Sequence, residues 1–212
     1  DLLRGSGRGG WTIVRPAITY SVGRLQLCTL ECGTWLPLAL AGHAVPLPPE
    51  MLSRQTTMTW GGDVALMISR LLGGEAALGG DYDVCTSRHQ SWADVADAYR
   101  SVVPLEVRRA ALAAFERASG NPWQCRYDRM YNRVMDNSKV LAATGLSEQD
   151  LTPVEEGLPR ELRATLAVRR LPATGRRTLG RVDGLGGGLF GPRAYSSVLG
   201  WSASGYARYL VG

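Results

Sequence analysis

The run Trp11-Thr12-Ile13-Val14-Arg15-Pro16-Ala17-Ile18-Thr19-Tyr20 carries the first structural signal in the chain. Its β-branched residues follow Gly9-Gly10, so Trp11–Val14 reads as a buried, parallel strand that ends at Arg15-Pro16. Downstream, residues 22–45 are apolar and helix-compatible but contain Gly33, Pro37 and Gly42, which predicts a helix with irregular ends. The prolines of Ala44–Pro49 impose an extended stretch. Thr56–Trp60 is a second strand, and Asp63 is placed to N-cap the next helix. Val64, Met67, Ile68, Leu71 and Leu72 give that helix its apolar stripe, and Gly73-Gly74 stops it.

Tyr82–Cys85 makes a third short strand, and Ser91-Trp92-Ala93-Asp94 opens a helix with a capping box. Pro104 suits the first turn of a helix through Leu105–Ala118. Another helix is expected between Asp136 and Gly145. A last one opens at Thr152-Pro153-Val154-Glu155 and runs to about Arg170, bent or split at Gly157 and Pro159. Strands alternating with helices define an α/β chain with at least part of a parallel sheet. From Leu171 the periodicity disappears. Residues 172–212 read as a Gly/Arg-rich, loosely ordered tail, with a short amphipathic piece around Tyr206–Leu210.

The chain has 212 residues and a net charge of +5, unevenly placed. Residues 160–212 hold nine arginines against Glu161 and Asp183, a net +7, which leaves −2 for residues 1–159. A basic tail can bind RNA or DNA. No basic stripe interleaved with aromatics supports that, so a solvated extension is expected and nucleic acid is not an expected partner. No apolar run reaches the roughly 20 residues of a membrane span, and no apolar segment of a secretory leader follows Asp1–Gly10. A soluble, cytoplasmic protein is expected.

Cys28, Cys32, Cys85 and Cys125 do not form a disulfide framework in a chain of this length. Cys28-x-x-x-Cys32 with Cys85-x-x-x-His89 has the wrong spacing for a zinc knuckle, so reduced, buried thiols and no metal are expected. The sequence also holds no G-x-G-x-x-G turn after a strand, no P-loop, no G-x-S-x-G elbow and no H-E-x-x-H. His43 and His89 fall in loops and read as surface residues.

Three stretches, Trp11–Tyr20, Thr59-Trp-Gly-Gly-Asp-Val-Ala65 and Arg133-Val-Met-Asp-Asn-Ser-Lys-Val-Leu141, together resemble a known family. Their order and spacing look like the C-terminal half of an extended short-chain dehydrogenase/reductase of the NAD-dependent sugar-nucleotide epimerase/dehydratase kind. The resemblance covers roughly residues 1–170. It implies the C-terminal part of a Rossmann-like fold, with residues 1–171 as a substrate-binding half. The family's glycine-rich cofactor turn and its Tyr-x-x-x-Lys pair lie N-terminal to the Arg-Pro strand and are absent here. The expectation is therefore a fragment, not catalytic alone, with its missing half upstream or on another chain, or paired in a homo-oligomer. NAD or NADP belongs to the complete family fold, and none is expected to bind this chain alone.

Carried over residue by residue, Pro16 and Ala17 match positions where family backbone approaches the nicotinamide, and Tyr20 matches an aromatic lining the substrate pocket. Ile18 departs from an asparagine common in sugar-nucleotide enzymes, which puts the substrate class in doubt. An arginine before the Asp-x-Ser-Lys helix commonly holds the substrate diphosphate, a role suited to the planar guanidinium fork. Arg126, Arg129 and Arg133 are the candidates, with Arg129 first, against the alternative of an exposed arginine near Asp128. Arg54 precedes the Thr57–Trp60 strand about two residues out of register with a second phosphate arginine of the family. Asp63, Asp136, Ser138 and Lys139 read as caps and helix surface. A nucleotide-sugar or similar small molecule is the implied ligand. The alternative is a non-enzymatic binding or scaffold protein derived from the same fold.

Overall fold

A computed structural model describes residues 2–168, 175–190, 196–197 and 199–211. The strands are β1 (Ile13–Pro16), β2 (Ile18–Tyr20), β3 (Val45–Leu47), β4 (Gln55–Thr56), β5 (Met58–Trp60), β6 (Asp81–Val84), β7 (Gln90–Ser91) and β8 (Val107–Arg109). The helices are α1 (Leu2–Gly5), α2 (Cys32–Leu40), α3 (Pro49–Leu52), α4 (Gly61–Leu71), α5 (Trp92–Arg100), α6 (Leu112–Ser119), α7 (Pro122–Gln124), α8 (Ser138–Thr144), α9 (Val154–Ala167), α10 (Arg176–Leu185) and α11 (Ala203–Leu210). A π-helical turn, Cys125–Arg129, continues α7.

The opening β-branched run is one extended segment interrupted only at Ala17. Its first part, β1, pairs in parallel with β6, and its second part, β2, pairs in parallel with β5. Parallel pairing was the expectation for this run, and it places the Pro16–Tyr20 segment between two βα units. The pair β3·β8 is also parallel, whereas β4·β7 is antiparallel with Thr56 opposite Gln90. The main core gathers Tyr20, Leu25, Leu27, Trp35, Leu36, Met58, Trp92, Tyr99 and Phe115, and Trp35 stacks on Tyr99 at 4.5 Å. A second cluster, built from Val64, Met67, Leu71, Tyr82, Val84 and Val140, seats α4 and α8 against β6.

Several local expectations are corrected. Asp63 is not an N-cap: Trp60 takes that position, and Asp63 is buried in the first turn, accepting from the Thr152 N–H at 2.8 Å. Thr152 is thereby drawn away from the capping box expected of it, and the box forms instead at Ser147 and Asp150. Residues 104–111 do not begin a helix at Pro104, because β8 pairs with β3 and α6 starts only at Leu112. Helix α9 stays continuous through Gly157 and Pro159.

The largest correction concerns the C-terminal quarter. Of the stretch expected to be a loose tail, 172–174, 191–195, 198 and 212 lie outside the described residues, but Arg176–Leu185 and Ala203–Leu210 are helices. They pack on each other, and Arg176–Leu185 also packs on α6 and β3, so that Leu179, Val182, Phe190 and Tyr209 join the main core. His43, expected on the surface, stacks on Phe190 at 5.0 Å. Its Nδ1 lies 2.8 Å from the fully buried Asp183 carboxylate, which also accepts from the Tyr209 hydroxyl. No helix among the described residues is long and apolar enough to cross a membrane.

Candidate functional site

Pro16 and Ala17 sit where β1 passes into β2, Pro16 exposed and Ala17 buried. Two residues on, Tyr20 is 0% exposed and lies against α9, where a Cβ on Gly157 would strike its hydroxyl. That hydroxyl has no hydrogen-bond partner among the described residues. Burial, together with the nearby Asp63 charge, pushes its pKa up, so it stays protonated. Burial also raises the Asp63 pKa, against the two hydrogen bonds from Thr152 that lower it. Tyr20 is thus enclosed between β2 and α9, and its family-implied place on an open pocket wall does not hold in this geometry.

The two arginines singled out by sequence share the π-helical turn but point apart. Arg126 reaches outward and donates two 2.7 Å bonds to the Glu116 carboxylate on α6. Arg129 turns inward with its side chain 2% exposed, donating to the Cys28 carbonyl at 3.0 Å, to Gln26 Oε1 at 2.9 Å and to Asp128. Its guanidinium also lies 5.3 Å from the Trp92 ring centre. Desolvation lowers its pKa against the opposing pull of Asp128. The Cys28 carbonyl is aimed at Arg129 by a tight turn in which Leu27 and Leu30 exchange backbone hydrogen bonds and Cys28 takes φ 54°. A non-glycine residue in that region is strained, and a buried guanidinium on its carbonyl is the contact that holds it. Every donor nitrogen of Arg129 is engaged by protein, so the expected diphosphate clamp is a buried structural knot in this structure.

A different set of donors is left without partners. Arg54 Nε, Thr56 Oγ1 and Gln90 Nε2 are buried and unbonded among the described residues. Thr56 and Gln90 are register partners across β4·β7, and Arg54 stands two residues before Thr56. Arg133, a lesser candidate from sequence, adjoins this set: its N–H donates to the Gln55 carbonyl at 2.9 Å and its Nη1 to Asp128 at 2.9 Å.

The other polar centres are structural. Glu148 accepts from the Ser87 N–H at 2.7 Å, from Thr86 Oγ1 at 2.9 Å and from Asn137, which locks the helix α8 start to the end of β6. All four cysteines are free and buried, with burial pushing the Cys32 and Cys85 thiols up to about 12. No group of three or more metal-ligating side chains occurs among the described residues. A dinucleotide pyrophosphate needs free backbone N–H groups, normally at a helix N-terminus. The glycine-rich run Gly184–Gly188 instead closes the C-terminus of α10, and its amides donate to Val182, Gly184 and Asp183 carbonyls. It does not fit that role.

The fold is a partial Rossmann-like one, of the kind found in extended short-chain epimerases and dehydratases. Among solved structures, UDP-N-acetylglucosamine 4-epimerase from Bacillus cereus superposes with a TM-score of 0.54 at 14% identity, over 81% of this chain and 50% of that one. The NAD-dependent NDP-hexosamine 5,6-dehydratase TunA, involved in tunicamycin biosynthesis, gives 0.51 at 15% identity, over 74% of this chain and 46% of that one. UDP-glucuronic acid 4-epimerase from Bacillus cereus, in complex with UDP-4-deoxy-4-fluoro-glucuronic acid and NAD, gives 0.50 at 11% identity, over 73% and 44%. The chain therefore spans about half the length of the structures it matches. No protein-family model matches the sequence. No curated protein matches it either.

Proposed function

We propose that this chain is the substrate-side portion of an NAD(P)-linked sugar-nucleotide epimerase-, dehydratase- or reductase-like protein, not catalytic by itself. The observation that carries the reading is the β1–β2 run, paired in parallel with both β5 and β6, within a fold that follows the UDP-N-acetylglucosamine 4-epimerase over 81% of this chain. Pro16 and Ala17, at the junction of the two strand pairs, are the residues that a cofactor held by the remainder of such a fold would approach. A second reading, a binding or scaffold protein without catalysis, draws support from Arg126 and Arg129, both engaged by protein partners.

The test is calorimetric titration of the chain with UDP-N-acetylglucosamine, UDP and NAD. Saturable binding of the nucleotide-sugar with negligible NAD binding is expected. Tight NAD binding would demand a dinucleotide site that these residues do not form. Absence of any nucleotide-sugar binding would leave the scaffold reading standing.

A further inference from the structure

We propose that the corner between α6 and the π-helical turn is a docking surface for single-stranded nucleic acid, with Trp123 and Tyr127 as its stacking platform. Trp123, Tyr127 and Tyr131 follow one another in steps of four and are 70%, 68% and 62% exposed. A single exposed aromatic is ordinary, but three within nine residues form a patch of the kind that marks an interaction site.

The local backbone builds the platform. Asn121 caps α7 by accepting from the Gln124 N–H, and Pro122 fits the first turn. The π-helical turn then carries the helix on, with Cys125 and Arg129 on its buried side. A step of four keeps Trp123 and Tyr127 on one outward face, where their rings stack with centres 5.6 Å apart and planes within 15° of parallel.

The charge around the rings has one sign. Residues 107–133 hold six arginines against two acids, Glu116 and Asp128. Both acids are already engaged: Arg126 holds the buried Glu116, while Arg129 and Arg133 hold Asp128. Arg117 is exposed and makes no ion pair among the described residues. Helix α10 adds Arg181, whose Nε donates to the Ala118 carbonyl at 3.2 Å, beside Arg117. Its Nη2 lies 3.5 Å from the place of a Cβ on Gly120, three residues before Trp123. Cations therefore flank the turn from which the platform starts. The interleaving of arginines and aromatics on which a nucleic-acid partner depends lies here, outside the C-terminal quarter.

The pairing of the two chemistries selects the partner. Aromatic faces beside arginines take the face of any base and the phosphates between bases, and a single strand offers both. A bilayer surface would call for apolar side chains that enter the acyl region, whereas Gln124, Arg126 and the buried Cys125 stand between the two rings. The surface does not depend on the nucleotide-sugar reading: Arg126 enters it only by neutralising Glu116.

The test is fluorescence anisotropy with a labelled single-stranded RNA of about 12 nucleotides, the DNA strand of the same sequence, and the duplex, over a salt series. Binding of heparin and sedimentation with phosphatidylserine vesicles are measured alongside. Both single strands are expected to bind alike, because stacking and phosphate contacts do not read the 2′-hydroxyl, and the duplex more weakly. Trp123→Ala and Tyr127→Ala should each weaken single-strand binding about five- to a hundredfold, with Trp123→Phe close to wild type. Heparin, which has no bases, should bind Trp123→Ala as it binds the wild type. Arg117→Ser should lower the slope of log affinity against log salt by about 0.7. All these side chains are exposed, so the melting temperature should not move in any variant.

The surface is overturned if the single strands do not bind, if Trp123→Ala and Tyr127→Ala bind them as the wild type does, or if the duplex binds as tightly. Sedimentation with the vesicles that is lost in Trp123→Ala, without single-strand binding, overturns it in favour of a membrane-facing patch.

Discussion

At the scale of single residues, chemistry follows from what each side chain already holds. Arg129 was legible as an important arginine, because guanidinium before an Asp-x-Ser-Lys helix suits a diphosphate. Its true environment, Gln26 and the Cys28 carbonyl about a hundred positions earlier, is a tertiary fact invisible to local spacing. Truncating it leaves the buried Cys28 carbonyl and Gln26 Oε1 without their donor and leaves Asp128 to Arg133 alone. Arg129→Ala is therefore expected to destabilise the fold by about 3 kcal/mol in urea denaturation, with Arg129→Lys recovering only part. A variant of wild-type stability that had lost nucleotide-sugar binding would return Arg129 to the ligand. Nor does a sequence reading supply Gln90 as a neighbour of Thr56, which it reaches only through antiparallel pairing of segments more than thirty residues apart.

Among the elements, α4 with its apolar stripe and α5 with its Ser91–Asp94 capping box were read correctly, whereas the first strand's parallel pairing held but it runs over Ile13–Pro16 and is half-buried to exposed, not buried. Misreadings came where a distant partner outbid a local preference. Pro104 suits a helix start, but the next residues complete a parallel pair with β3. In the last quarter, glycine and arginine dilute the composition until Leu179 and Val182, three apart on α10, no longer stand out, although both are buried. Helices α10 and α11 lie so close that a Cβ on Gly180 would collide with the Tyr209 carbonyl. Because backbone cannot swing aside as a side chain can, Gly180→Ala should cost about 1–3 kcal/mol. Removing residues 172–212 should do far more, stripping Leu179, Val182, Phe190 and Tyr209 from the core. Calorimetry and dye binding check both: a broadened or lost transition with exposed apolar surface is expected of the truncated chain. Wild-type melting after truncation would reduce the two helices to an appendage.

For the molecule as a whole, the α/β class and its parallel pairing were readable because they depend on residue pattern alone, whereas how sheet edges are covered depends on everything packed around them. Strand β1 takes β6 on one side, and no other strand pairs with it among the described residues. Beside it runs a groove of about 410 Å³ lined by Leu2, Leu3, Arg4, Ile13, Arg15 and Asp81. Leu2 is 94% exposed there. Parallel strands are ordinarily covered on both faces, and an open edge is a template for another chain. Some protection exists: Arg15 and Lys139 both pair with Asp81, which lays a charged strip across the outer face of β1·β6. These contacts hold the Asp81 carboxyl down at about 2, so the strip keeps its charge across the ordinary pH range. Asp81 is the register partner of Ile13, yet Ile13 and Val14 stay half-buried beneath the strip. The chain is therefore expected to self-associate through this edge, with its mean mass in sedimentation equilibrium rising along a concentration series. Ile13→Lys should lower that mass towards the monomer without changing the melting temperature by more than a few degrees, because a lysine at an edge blocks pairing at little cost to the fold. A monomer at every concentration, melting in one sharp transition, would show that the groove and the edge are already closed.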